Sequence, residues 1–139
     1  MGWAEKDRSG VCFSSTIFTL SNEARRIADV AWVKREKYDR LTERQKEGFG
    51  PLCPDFIAEV VSPNYSLVQL CDKMLECTNN GVSLAWLIDP FARRVYVYKP
   101  DHEVVVLDNP ETVVGNPLMP GFTLNVTEVY RADLQDLQD

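Results

Sequence analysis

The sequence predicts a single small α/β domain in which helices pack against a mixed β-sheet. Two apolar, strand-like segments each contain one carboxylate near their middle. A helical segment follows the second of these, and a short run that is apolar on both faces comes next. Two alternating segments separated by turns complete the series. This order of strand, helix, buried strand and antiparallel meander is typical of a mixed sheet with a helix packed on it.

The length and composition are those of an ordinary globular domain. With 139 residues, 45% hydrophobic and 26% charged, the chain can bury one core, and we expect a single domain over residues 1–139. The net charge of −6 argues against a protein that coats nucleic acid through a general positive field. A nuclease is compatible with this charge, since it needs carboxylates for metal ions and only a local basic strip for phosphates. The candidates for such a strip are Arg25, Arg26, Lys34, Arg35, Lys37 and Arg40. Alternatively, these residues form only a solvated surface.

Several classes of protein require features that this sequence does not contain. The longest apolar stretch is far shorter than the roughly 20 residues that span a bilayer, and the N-terminus lacks the apolar run of a signal peptide. The four cysteines form no Cys-x-x-Cys pair, and the single histidine, His102, lies in a predicted turn. We therefore expect a cytoplasmic protein without a membrane anchor, a zinc site or a Cys/His dyad.

Two predicted strands each place one carboxylate among apolar residues. Residues 27–33 are rich in β-branched and aromatic side chains, and alternation places Asp29 on the same face as Ile27. Residues 55–61 form the second strand, in which Glu59 shares one face with Asp55 and the apolar residues Ile57 and Val61. Burying an unpaired carboxylate costs on the order of several kcal/mol. The two carboxylates are therefore expected either to converge on a hard cation such as Mg²⁺ or to form structural pairs with arginine or lysine.

Two helical regions are predicted on either side of the second strand. Residues 34–48 are highly charged and helical in pattern, with Thr42 as a possible N-cap. A second helix is expected after Ser66, which resembles the start of a capping box with Gln69. Apolar residues then recur at helical spacing until the helix ends before Gly81.

Lys73 lies in the second helix, on the flank of its apolar stripe beside Leu70 and Cys77. Its ammonium can either reach inward to Glu59 or extend to solvent. In a phosphodiesterase, such an ammonium stabilises negative charge in the transition state or positions the attacking water, while a metal acidifies that water.

The C-terminal half predicts the remaining strands. Residues 84–88 read as a central strand, and residues 94–98 and 103–107 complete an antiparallel meander after short turns. One short helix is expected after Val126, and the polar residues 133–139 are expected to fray.

From Phe13 to Tyr130 the chain resembles the Uma2 type of putative restriction endonucleases, within the PD-(D/E)XK nuclease superfamily. Each matching piece is short, but their order and spacing together are specific. The pieces are residues 18–20, the strand Ile-Ala-Asp-Val-Ala-Trp-Val at 27–33, Pro-Asp-Phe-Ile-Ala-Glu-Val-Val-Ser-Pro at 54–63, Asp-Lys-Met at 72–74, Gly-Val at 81–82, Trp-Leu-Ile-Asp-Pro at 86–90 and Leu-Met-Pro-Gly-Phe at 118–122.

The resemblance implies a restriction-endonuclease-like core and Mg²⁺- or Mn²⁺-dependent hydrolysis of DNA. By position in the motifs, Asp29 and Glu59 correspond to the metal-binding carboxylates, and the main-chain carbonyl of Val60 to the usual third protein ligand. Lys73 corresponds to the lysine that assists the attacking water. In this family that lysine comes from the helix, whereas most of the superfamily carries it two residues after the glutamate, at the position of Val61.

Two other acidic residues resemble motif positions but are expected to have structural roles. Asp55 also follows a proline, yet it stands at the start of its strand, where a backbone-capping or surface role is expected. Asp89 precedes Pro90, and its side chain is expected to organise the turn by accepting bonds from backbone amides.

The sequence also departs from the family pattern in two ways. Ala28 replaces the proline that normally precedes the aspartate, which removes a fixed φ but no chemistry. Relatives begin with several dozen further residues, so we expect a truncated domain whose exposed apolar face is covered in a homodimer. A non-catalytic dimeric remnant that serves as an interaction module is the alternative to the nuclease. A binding protein for a small phosphorylated ligand is a third possibility.

Overall fold

The computed structural model describes residues 10–48 and 52–130, and its centre is a six-stranded mixed sheet. The strands lie side by side in chain order, and β3 and β4 are the parallel neighbours while the other pairs are antiparallel. The predicted mixed sheet and its antiparallel meander are confirmed. The strands are β1 (Gly10–Thr19), β2 (Arg25–Lys34), β3 (Phe56–Val60), β4 (Leu84–Asp89), β5 (Arg94–Tyr98) and β6 (Val105–Asp108).

One long helix connects the two parallel strands and covers one face of the sheet. The helices are α1 (Arg35–Asp39), α2 (Glu43–Gly48) and α3 (Leu67–Asn79). The Ser66 hydroxyl caps α3 by accepting a bond from the Gln69 amide at 3.4 Å, as the sequence predicts. Leu70, Met74 and Cys77 form the buried stripe of α3 and pack on the central strands. Parallel pairing requires such a crossover, and α3 supplies it.

The charged region 34–48 forms two short helices, α1 and α2, where the sequence pattern suggested one helical stretch. The break is local, because Thr42 and Gln45 form a reciprocal capping box. The Gln45 amide donates to Thr42 Oγ1 at 3.1 Å, and the Thr42 amide donates to Gln45 Oε1 at 2.9 Å. The prediction of Thr42 as an N-cap is confirmed, and α2 begins directly after it.

A small second layer covers the other face of the sheet. It consists of the two-stranded sheet β7 (Thr112–Val114) and β8 (Thr123–Asn125), followed by helical residues 126–130. Its buried side chains, among them Val113 and Met119, pack with Trp86 of the main sheet. The predicted C-terminal helix is confirmed as far as residue 130, while the predicted fraying of residues 133–139 lies outside the described residues. No helix in the described ranges is long and apolar enough to cross a membrane.

Strand β1 is an element that the sequence pattern did not predict. It forms a hairpin with β2 in a register that includes Thr16 opposite Ala28. Its centre contains Ser14 and Ser15, and Ser15 has a φ of 46°. Adjacent serines weaken the alternation by which a strand is recognised, so that only pairing with β2 defines β1.

Candidate active site

The pairing of β2 and β3 brings the two predicted carboxylates together. These strands are antiparallel, with Val30 opposite Ala58, and continuing the register by one position sets Asp29 opposite Glu59. Regular pairing ends there, and the Val60 amide donates to Asp29 Oδ2 at 2.9 Å instead of to the backbone of β2. The Asp29 carboxylate thus stands at the point where the strands separate.

Lys73 enters the same place from α3. Its ammonium donates to Glu59 Oε1 at 2.8 Å and also to the main-chain carbonyl of Ile27. Of the two directions that the sequence left open, the structure shows the inward one. The backbone of α3 sets the position of the Lys73 Cα, and the two hydrogen-bond acceptors hold its ammonium group in place.

Burial and charge act in opposite directions on Glu59. The residue is 8% exposed, and burial raises the pKa of its carboxyl above the usual 4.5. The bond to the Lys73 ammonium opposes this rise, whereas the nearby negative charge of Asp29 adds to it. The effect of burial is the larger one, so the pKa of Glu59 is raised and its ionised form is disfavoured in the folded protein.

These groups face one open cleft between β2, β3 and α3. Its volume is about 340 Å³, and its lining includes Asp29, Glu59 and Lys73 together with Ile27 and Tyr65. Asp29 is exposed toward it and is not sealed by an arginine among the described residues. The cleft therefore gives solvent and solutes access to the carboxylates.

A second cavity, of about 210 Å³, lies against the other face of the sheet. Its walls are almost wholly apolar and include Trp86 and Phe122, whose rings stack with centroids 5.7 Å apart. Asp29 and Val60 border both spaces. Because the charged groups converge in the first cleft, we assign the candidate chemistry there.

The cleft contains the donors that a small hard cation uses. The described residues include no group of three or more His, Cys, Asp or Glu side chains placed to hold a metal. Mg²⁺ needs fewer protein ligands than this, because it commonly binds one or two carboxylates and completes its coordination shell with water and substrate phosphate. Asp29 and Glu59 each bond through one oxygen and keep a second. A bound cation would offset both the cost of burying the Glu59 charge and its repulsion from Asp29, so these oxygen donors are compatible with a small hard cation.

The other two acidic motif residues bond to the backbone. Asp55 is buried, and its Oδ2 accepts the Lys34 amide at 2.9 Å. Asp89 Oδ1 accepts the amides of Phe91 and Ala92 at 3.0 and 3.1 Å. The structure thus shows for both the backbone bonds that the sequence suggested.

The basic residues 25–40 do not form one free strip. Arg26 makes a two-pronged pair with Glu76 of α3, at 2.6 and 2.8 Å. Lys37 pairs with Asp55 at 3.7 Å, and the Arg35 guanidinium donates to the Gly10 carbonyl at 3.4 Å. Several of these cations therefore have structural partners.

Three contributors to the cleft were not singled out from the sequence. The Ile27 carbonyl holds Lys73, and Tyr65 and Gln69 line the cleft. A carbonyl has no sequence signature, because every residue carries one. Tyr65 had a weak signal, as an aromatic residue in a polar turn directly before the capped helix.

Comparisons with known proteins agree with this architecture. A family model described as "Uma2: Putative restriction endonuclease" matches residues 1–127. A crystal structure of a putative nuclease belonging to DUF820 from Anabaena variabilis is similar with a TM-score of 0.76 and 23% identity, over 94% of this chain and 73% of that one. At this identity the likeness shows the fold, and the predicted restriction-endonuclease-like core is confirmed at that level. The comparison with curated proteins finds no match.

Proposed function

Because the chain belongs to the Uma2 family of putative restriction endonucleases, we propose that it is a metal-dependent nuclease that hydrolyses DNA phosphodiester bonds. The observation that carries this proposal is the meeting of Asp29, Glu59 and the Lys73 ammonium in one open cleft. Two carboxylates and one ammonium are the groups that such a hydrolysis needs.

We assign the metal to the oxygens of Asp29 and Glu59 and to the main-chain carbonyl of Val60. A bound Mg²⁺ or Mn²⁺ supplies a more acidic water and polarises the phosphate. The Val60 amide fixes the Asp29 carboxylate through the bond to Oδ2, so this ligand is oriented before any cation binds. Preorganisation of this kind reduces the cost of assembling the site.

Lys73 acts on the phosphate and the attacking water. Glu59 and the Ile27 carbonyl hold its ammonium at the cleft, where the positive charge stabilises the charge that develops on the phosphate oxygens. The same ammonium can donate a bond to the water and orient its lone pair. Both roles use the positive charge of the ammonium, which the two acceptors hold at the cleft.

Plasmid cleavage tests this assignment. We expect purified protein to nick supercoiled DNA with Mg²⁺ or Mn²⁺ and not with EDTA. Asp29→Asn, Glu59→Gln and Lys73→Ala should each lower the rate by about 100-fold or more, while the exposed carboxylate variant Glu103→Gln should not. If supercoiled plasmid and single-stranded circular DNA are both left intact with either metal, the result would instead favour the non-catalytic interaction module, in which Lys73 and Glu59 form a structural ion pair.

A further inference from the structure

The lining of the cleft combines charged and apolar side chains. Asp29, Glu59 and Lys73 lie in it together with the exposed side chains of Ile27 and Tyr65. Ile27 is 55% exposed and Tyr65 is 65% exposed. An aromatic ring left this open beside a charged site is available to a ligand.

The electrostatics of the site do not suit a duplex that is held through many phosphates. Duplex binding proteins gain affinity from several lysine and arginine contacts to the backbone. Here the chain has a net charge of −6, and Lys73 is already bonded to Glu59. Arg26, next to Ile27 on β2, is engaged by Glu76. No arginine is among the described residues that line the cleft.

We propose that the cleft takes single-stranded DNA, with a base next to the scissile phosphate stacked on the Tyr65 ring. This inference rests on the proposed nuclease function and names its substrate class. The face of a base is available for stacking only where the strand is unpaired. Stacking of bases on aromatic side chains contributes strongly to the binding of single strands and tolerates any sequence. Tyr65 is thus a substrate-positioning residue, whereas Glu59 and Lys73 act on the phosphate.

A binding measurement in EDTA tests the surface without cleavage. The probes are a fluorescein-labelled thymidine 15-mer, an abasic strand of the same length and a duplex of the same length, followed by anisotropy. We expect the full chain to bind the thymidine strand about tenfold or more tightly than the abasic strand. The two strands carry the same phosphates, so the difference reports the bases alone.

Variants at Tyr65 test whether its ring causes the preference for the thymidine strand. Tyr65→Ala should reduce the preference for the thymidine strand to about that of the abasic strand, and Tyr65→Phe should retain it because the ring remains. Phe91→Ala removes another exposed aromatic ring, outside the cleft, and should change nothing. With metal, Tyr65→Ala should raise KM for single-stranded DNA about tenfold and leave kcat nearly unchanged, since it removes binding and not chemistry.

The outcomes separate this inference from the nuclease function. Equal binding of the thymidine and abasic strands, or tighter binding of the duplex, would overturn it. Metal-dependent cleavage of DNA that is indifferent to Tyr65→Ala would overturn the inference and keep the nuclease. A base-dependent preference without any cleavage would overturn the nuclease, and the substrate assignment with it, and leave Tyr65 only as a binding surface.

Discussion

Glu59 shows at the scale of one residue how function and stability oppose each other. Its carboxylate is nearly enclosed by apolar strands and faces a second carboxylate, while Lys73 offsets only part of that cost. A group retained in such a setting is a candidate for chemistry, because a neutral side chain would be more favourable for the fold.

We predict that Glu59→Gln raises the stability of the metal-free protein at neutral pH. The folded-state pKa of Glu59 lies above its unfolded value, so the ionised form destabilises the fold at any pH above the folded pKa. The wild-type penalty should shrink as pH falls through that pKa, and the two proteins should converge near the usual value of 4.5, which applies to the unfolded chain. Thermal unfolding in EDTA between pH 4 and pH 8 measures this. A variant less stable than wild type at pH 7 would show that the Lys73 bond outweighs burial.

Two of the site's features could be predicted at this scale, and two could not. The order of motifs identified Asp29, Glu59 and Lys73, and the helical position of Lys73 allowed an inward direction. Two hydrogen bonds depend on where the strands separate. They are the bond from the Val60 amide to Asp29 and the bond from the Lys73 ammonium to the Ile27 carbonyl. That separation is a property of paired strands and has no signature in either strand alone.

At the scale of elements, α3 links the fold to the site. Its buried stripe fixes the helix on the sheet, and Lys73 stands on the flank of that stripe. Its cap, its period and its end were all predicted, because each depends on residues close in sequence. β7 and β8 have three residues each, which is too short for a period to be recognised, and only their packing on the sheet defines them.

Adjacent residues of α3 provide a test of this packing. Met74 is fully buried, whereas Leu75 is 44% exposed. We expect Met74→Ala to lower the free energy of unfolding by about 2–5 kcal/mol and Leu75→Ala by less than about 1 kcal/mol. Urea unfolding followed by circular dichroism measures both. Similar losses for the two variants would contradict the orientation of α3.

At the scale of the whole molecule, the main sheet ends in an open edge. β6 pairs with β5 on one side, and the described residues place no strand on its other side. Val104, Val105 and Val106 are all substantially exposed along it. An unpaired apolar edge without lysine or proline is a surface on which strands associate.

We predict that the protein is a homodimer, and that two β6 edges pair to form it. Light scattering after gel filtration should give about twice the chain mass of 15.8 kDa. Val105→Lys places a charge on the edge and should weaken the dimer at least about tenfold. Val68→Lys, a matched change at an exposed valine on α3, should not. A wild-type protein that is monomeric at every concentration would rule out the homodimer.

The sequence by itself determined the class of fold, the capped helix α3, the central strands and the identity of the three candidate site residues. These depend on local periodicity, on capping and on the order of short motifs, all of which are written along the chain. Only the tertiary structure decided that Asp29 opens to solvent while Glu59 is buried, that Lys73 turns inward, and that Tyr65 stands exposed beside them. Each of these depends on the register and separation of strands that are distant in sequence, and packing sets those quantities.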